Sequence, residues 1–120
     1  MKPSLTDIRR IAEVEFAAVI VDSQPLGEKL RLFLEEGSHI DIWLSRKLDN
    51  RFRFHWERRH IDGTLYRYDN FPDPEWQAVA TYPCQFHNGS QDNVEAAPFS
   101  SEVLTGFRDF MRFVQTKLAP

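Results

Sequence analysis

The chain has 120 residues, of which 42% are hydrophobic, and its formal charge is -3. This length and composition predict one globular domain over residues 1–120 and exclude a disordered chain. The acidic balance excludes attraction of nucleic acid over the whole surface, because phosphate binding depends on lysine and arginine. We expect neither a membrane span nor a signal peptide, and therefore a cytoplasmic protein.

The first predicted element is a helix from Ser4 to about Glu13. Ser4 and Asp7 have the spacing of a helix-capping pair, and apolar residues follow at helical intervals. The β-branched run Phe16–Val21 then predicts a buried strand that ends before Pro25.

A hairpin is predicted around Gly37. A three-residue loop at 35–37 pairs Leu34 with Ser38. The register that follows separates aliphatic residues from a charge pair: Leu30 opposite Ile42, Leu32 opposite Ile40, and Arg31 opposite Asp41.

A second hairpin is predicted around Gly63, with a three-residue loop at 61–63 that pairs His60 with Thr64. A two-residue loop would place Arg58 opposite Arg67, and like charges in that position are destabilising. The longer loop collects rings on one face and ionisable groups on the other: Arg58 opposite Tyr66, Glu57 opposite Arg67, Trp56 opposite Tyr68, and His55 opposite Asp69.

The rest of the chain predicts a loop and a long helix. Prolines and turn formers over 71–97 leave room for at most one short strand, around Ala78–Tyr82. A strong amphipathic helix starts at Ser100–Glu102, and its apolar stripe consists of Val103, Phe107, Phe110, Met111, Val114 and Leu118. The predicted fold class is α+β: an antiparallel β-meander of about five strands, flanked by a short N-terminal helix and a long amphipathic C-terminal helix.

Positive charge is concentrated between Arg46 and Arg67, where seven of the fifteen basic residues stand against three acids. Such a face has the groups for metal-free RNA cleavage, which needs a base, an acid and cations around the phosphate. His55 could exchange protons while Asp69 fixes its tautomer, and Glu57 is a second candidate base. Arg53 or Arg67 could hold the phosphate.

The same pattern also fits a solvated sheet face with ordinary surface ion pairs. Cys84 and His87 have the spacing of half a zinc site, but Cys84 is the single cysteine, so we expect a packed thiol, no metal and no cofactor. Among the tryptophans, Trp43, Trp56 and Trp76 could stack on bases, and Trp76, in a proline-bounded loop, is the surface candidate.

The segments GTLYRYDNFPDPEW and TYPCQFH resemble the TumE-type toxins, small bacterial proteins encoded beside an antitoxin. The resemblance spans roughly Phe16 to the C-terminal helix. It implies a ribonuclease-like toxin restrained by a partner that usually carries a DNA-binding element. It favours the site residues Arg67, Asp69, Asn70 and His87. The chain departs from the family pattern of histidines, with Asp73 after Pro72 and only His87 after Pro83.

We therefore predict a TumE-like toxin that acts on RNA without metal. The candidate catalytic residues are His55, Glu57, Arg67, Asp69 and His87. The candidate RNA-binding residues are Arg51, Arg53, Arg59, Asn70 and Trp76. An alternative is a small binding module without enzyme activity, whose charged sheet face docks a protein partner. A third hypothesis is a homo-oligomer formed through the loop around Trp76.

Overall fold

The computed structural model describes residues 2–120 as one sheet of seven strands with helices before and after it. The elements are α1 (Leu5–Glu15), β1 (Ile20–Leu26), β2 (Lys29–Leu34), β3 (His39–Leu44), β4 (Phe52–Arg58), α2 (Arg59–Asp62), β5 (Thr64–Asp69), a 3-10 turn (Pro74–Trp76), β6 (Gln85–Gly89), β7 (Val94–Ala96) and α3 (Val103–Leu118). The strands lie in chain order, and each pairs antiparallel with the next. The predicted α+β meander is confirmed, with seven strands instead of about five.

The N-terminal helix is capped as predicted. Ser4 Oγ accepts from the backbone of Asp7, and the Asp7 side chain accepts from the backbone of Ser4. The first strand was predicted too early, because Phe16–Val19 form a turn and β1 begins at Ile20. Pro25 lies within β1, which it can do because β1 is an edge strand and needs hydrogen bonds on one side only.

The first predicted hairpin register is confirmed residue by residue. Leu34 N donates to Ser38 O, and Gly37 has a φ of 98°, a left-handed conformation that suits glycine. The observed pairs include Leu30 with Ile42, Leu32 with Ile40, and Arg31 with Asp41.

The second hairpin exists, but its predicted register is wrong by two residues. The one-turn helix α2 and Gly63 make a five-residue connection, stabilised by the Asp62 carboxylate, which accepts from Thr64 N. The observed pairs are Arg58 with Thr64, Glu57 with Leu65, Trp56 with Tyr66, His55 with Arg67, and Arg53 with Asp69. Because the shift is an even number of residues, every side chain keeps its predicted face of the sheet.

The segment before the last helix contains two strands that the sequence did not predict. No strand forms over Ala78–Tyr82, where the chain makes turns instead, and β6 and β7 follow it. β7 pairs with β6 over only three residues, which is too short for an alternating sequence pattern to be recognised.

Both long helices lie on the same face of the sheet. Their contacts bury the aliphatic residues of β2 and β3 and the rings of β4, β5 and β6, and the predicted stripe of α3 is buried except for the half-buried Leu118. The indole of Trp56, fully buried, donates to Ser38 Oγ at 2.8 Å, so its one polar atom is satisfied. No helix in residues 2–120 combines the length and apolar character needed to cross a lipid bilayer.

The ring cluster of the core should respond strongly to truncation. Phe54 is 0% exposed and packs against the rings of Phe52, Tyr68 and Phe107. Phe54→Ala should lower the free energy of unfolding by about 3–5 kcal/mol, because it removes a large buried ring and leaves a cavity. Chemical denaturation measures this. Val14→Ala, at a site 74% exposed, should change stability by about 0.5 kcal/mol or less, and equal losses in both variants would contradict the proposed core.

Candidate functional site

The sheet face away from the helices carries a row of ionisable side chains, one from each of five neighbouring strands. The observed register aligns Arg31, Asp41, His55, Arg67 and His87 across β2 to β6. A parallel row holds Lys29, Trp43, Arg53, Asp69 and Gln85. Side chains at paired positions lie on the same face, so the two rows form one largely polar surface, which we call the open face.

His55 is held as a neutral imidazole of defined tautomer. Arg67 Nε lies 3.1 Å from His55 Nδ1 and can only donate, so Nδ1 accepts and the ring proton is on Nε2. Nε2 then donates to Glu57 Oε1 at 3.0 Å. Burial lowers the pKa of His55, the hydrogen bond to Glu57 opposes this, and the Arg67 charge lowers the pKa further. The predicted pairing of His55 with Asp69 is therefore wrong, and Arg67 and Glu57 fix the tautomer instead.

Glu57 is firmly ionised. Arg59 donates hydrogen bonds to its carboxylate from Nη2 at 2.6 Å and from Nε at 2.9 Å, and the Arg59 backbone N–H donates a third. The hydrogen bonds from Arg59, and then the one from His55, hold the pKa of Glu57 far below its ordinary value. A carboxylate with such a low pKa is a weak proton acceptor, so Glu57 is better suited to orienting His55 than to acting as a base.

Arg67 is a half-buried cation with no carboxylate partner among residues 2–120. Its hydrogen bonds go to neutral acceptors, His55 Nδ1 and Gln91 Oε1 at 2.9 Å. Burial lowers the pKa of Arg67, and the like charge of Arg53 lowers it further, although a guanidinium remains charged at neutral pH. Arg53 is exposed and makes no ion pair with the described residues. Two adjacent cations without neutralising partners favour the binding of an anion.

A shallow depression of about 410 Å³ lies over these groups. It is lined by Lys29, Asp41, Arg53, His55, Arg59 and Arg67, so four cations face one carboxylate. Asp41 is already bonded to Arg31 and Lys29, which hold its pKa below the ordinary value although burial opposes them. The depression therefore has an excess of positive charge.

His87 lies on the same face but is covered. It is 3% exposed, and the ring of Trp76 stands edge-on to it with centroids 6.1 Å apart. His87 Nδ1 donates to Gln91 O at 2.8 Å, and Nε2 lies 4.0 Å from Asp69 Oδ2. Asp69 is buried, which raises its pKa, and it accepts from Phe71 N and from Gln85 Nε2. Asp69 therefore lies beside His87 and not beside His55.

The other predicted residues do not line the depression. Asn70 joins two strand ends, because its amide accepts from Phe52 N at 2.9 Å and donates to Asn50 O. The guanidinium of Arg51 lies over the ring of Phe71, with Cζ 5.5 Å from the centroid. Trp76 is half-buried over His87.

Cys84 is buried in the core, on the opposite face from His87, so the two do not form half a metal site. Burial raises the pKa of the Cys84 thiol, as expected of a packed cysteine. Within residues 2–120 no three histidine, cysteine or acidic side chains are grouped so that they could hold a metal ion.

A family model described as Toxin TumE matches residues 4–118 of the chain. The chain belongs to the TumE family. The predicted resemblance is thereby confirmed, and this TumE-family protein is a toxin of a toxin–antitoxin system, with a cognate antitoxin as its implied partner. Searches among curated proteins and among solved structures found no match.

Several residues of the candidate site escaped the sequence prediction. Lys29 and Asp41 line the depression, and Gln85 and Gln91 bond to Asp69 and Arg67. The alignment of β3 with β4 was the missing step, since it brings the correctly predicted Arg31 and Asp41 pair beside His55. Gln85 and Gln91 gave no signal, because neither β6 nor the turn that follows it was predicted.

The pKa of His55 should move in opposite directions in two variants. Arg67→Gln should raise it, because a cation that opposes protonation is removed, and Glu57→Gln should lower it, because a stabilising carboxylate is removed. NMR titration of the ring nitrogens measures both shifts. His39, whose pKa is lowered by burial and by Arg31, is the internal control and should be unchanged in Arg67→Gln. Shifts of His55 in one direction in both variants would refute the assigned contacts.

Proposed function

We propose that this TumE-family toxin is a metal-independent ribonuclease that cleaves RNA by attack of a 2′-hydroxyl on the adjacent phosphate. The observation that carries the proposal is the half-buried Arg67, which touches a neutral His55 and has no carboxylate partner among the described residues. A cation of this kind is stabilised by a bound anion, and a neutral imidazole beside it can accept a proton.

The phosphate would occupy the depression. Arg67 lies at its floor and the exposed Arg53 at its rim, and the planar guanidinium groups match the oxygens of a phosphate. Lys29 adds a third cation on the side of β2. Together these groups can stabilise the extra negative charge of the pentacoordinate transition state without a metal.

His55 would act as the base through Nδ1, the one ring nitrogen that carries a lone pair. Arg67 would turn from Nδ1 to the phosphate as the substrate enters, and Nδ1 would take the 2′-hydroxyl proton as that oxygen bonds to phosphorus. The imidazolium formed would be stabilised by the Glu57 carboxylate at Nε2, 3.0 Å away. The role of Glu57 is thus to orient the base, with Arg59 holding it in place.

His87 would act as the acid: as an imidazolium with its second proton on Nε2, beside Asp69, it would give that proton to the departing 5′-oxygen and become neutral. The products would be a 2′,3′-cyclic phosphate and a 5′-hydroxyl end. Because Trp76 covers His87, this role requires the Trp76 ring to move when RNA binds. Of the remaining candidates, Arg51 would add charge beside Phe71, and Asn70 would position the strand ends that carry the site.

Cleavage should depend on the imidazole of His55. In EDTA, His55→Gln should reduce the rate of RNA cleavage by about 10²–10⁴-fold, because the proton acceptor is lost while the side chain stays polar. Gel assays that identify a cyclic phosphate end measure the rate. Arg10→Ala, at an exposed cation on α1, should cleave at the wild-type rate. Cleavage that persists in His55→Gln, or that disappears in EDTA, would refute the mechanism.

A second candidate function is docking of an acidic segment of the antitoxin on the open face, without catalysis. It is favoured by the contact of Arg67 with Nδ1, which occupies the lone pair that catalysis needs. Both functions use the same cations, so they differ in their dependence on His87.

His87→Ala separates the two functions. Under the ribonuclease proposal it should abolish RNA cleavage and growth arrest, because the leaving oxygen loses its proton donor, and antitoxin affinity should stay within about twofold. Under the docking function the wild-type protein should cleave no RNA, and Arg53→Glu should weaken antitoxin binding, because it reverses a charge at the rim. Calorimetry of the antitoxin complex gives the affinities, and thermal melting checks that each variant is folded.

A further inference from the structure

Trp43 lies on the open face between two cations of the depression. The register places it opposite Lys29 of β2 and opposite Arg53 of β4. Asp41, two residues earlier on the same strand, also lines the depression. Trp43 is thus bordered on three sides by residues that surround the proposed phosphate, yet no step of the proposed mechanism uses it.

The Trp43 ring is half-buried, unlike the fully buried Trp56. Within residues 2–120 its indole N–H makes no hydrogen bond, whereas the N–H of Trp56 donates to Ser38. A buried indole normally finds a partner, so an unbonded N–H on a partly exposed ring is available to a phosphate oxygen of a ligand.

Phe71 supports Trp43 from the segment after β5. The two ring centroids are 5.3 Å apart with planes inclined by 37°, which fixes the tilt of the indole. The guanidinium of Arg53 lies over the Phe71 ring at 4.3 Å from its centroid. The aromatic pair and the phosphate-binding arginine are therefore one packed unit, in which the charge sits beside the rings.

We propose that Trp43 is a stacking platform for one base of single-stranded RNA, with Phe71 as its positioning residue. The inference rests on the proposed function, because it places the base next to the phosphate held by Arg53 and Arg67. Alternation of aromatic rings with cations is how proteins bind single-stranded nucleic acid, since every base has a flat face and every nucleotide a phosphate. Duplex RNA is excluded from the platform, because its bases are already stacked and paired.

The groups around Trp43 predict that the platform accepts RNA bases of different sequence. The carboxylate two residues from Trp43 on the same strand, Asp41, has both oxygens bonded to Arg31 and Lys29, so it is not free to accept from a base. Stacking without hydrogen-bond readout recognises the face of a base and not its edge. The substrate class is therefore unpaired RNA of mixed sequence.

Binding of a 2′-O-methyl oligonucleotide tests the platform separately from cleavage, because this probe lacks the attacking hydroxyl. Trp43→Leu should weaken binding by about 5–100-fold, the loss expected of one stacked base. Trp43→Phe should keep most of the affinity, since a ring remains, but should lose the part of the tryptophan fluorescence quenching by the probe that comes from Trp43. Phe33→Leu is the matched control: Phe33 is half-buried on the same face, outside the depression, and its loss should change affinity less than twofold.

The second measurement is the affinity for a probe that contains an abasic site. It is made only with variants that are shown to be folded. One abasic site should weaken binding of the probe to the wild-type protein. It should not weaken binding to Trp43→Leu any further, because the ring on which the base would stack is already absent from that variant. Equal affinities of Trp43→Leu and wild type would overturn the platform and leave the ribonuclease proposal intact. Binding through Trp43 without any RNA cleavage would keep the platform and refute the catalytic proposal. Equal binding of duplex and single-stranded probes would overturn the assigned substrate class.

Discussion

The sheet is covered by helices on one face only, and the function of the other face depends on this. Rings from β4, β5 and β6 pack with α3, and aliphatic residues from β2 and β3 pack with α1. Because side chains alternate along a strand, the residues between these core positions all point to the open face. A buried layer of this size supplies the stability, so the open face can carry repelling cations without loss of the fold.

Charge on the open face is distributed unevenly. The carboxylates are committed: Asp41 to Arg31 and Lys29, Glu57 to Arg59, and Asp69 to backbone and amide donors. Arg53 and Arg67 are then left without neutralising partners among the described residues. The charge of each disfavours the charged form of the other. A protein selected for stability alone would have little reason to keep two such cations together, whereas an anion-binding protein needs them.

The same unneutralised charge is the feature that both proposed functions use. A depression with four cations and one carboxylate attracts phosphates, and it equally attracts an acidic protein segment. Trp43 and Phe71 beside it add a feature that RNA can use and that a simple charge pair cannot. The open face thus combines the cations of the depression with the aromatic pair Trp43 and Phe71. Cations attract any anion, whereas aromatic rings stack on bases.

Local patterns in the sequence determined the two helices, the first hairpin with its register, and the face on which each residue of β4 and β5 lies. These follow from capping, turn chemistry and periodicity, which act over a few residues. Only the tertiary structure decided that His55 lies beside Arg67, that Asp69 lies beside His87, and that Trp43 lies next to residues of the depression. Those contacts depend on the length of the connection through α2, on two short unpredicted strands and on the pairing of β3 with β4. Periodicity identifies the face of a strand, but it does not determine which residue of a neighbouring strand lies beside it.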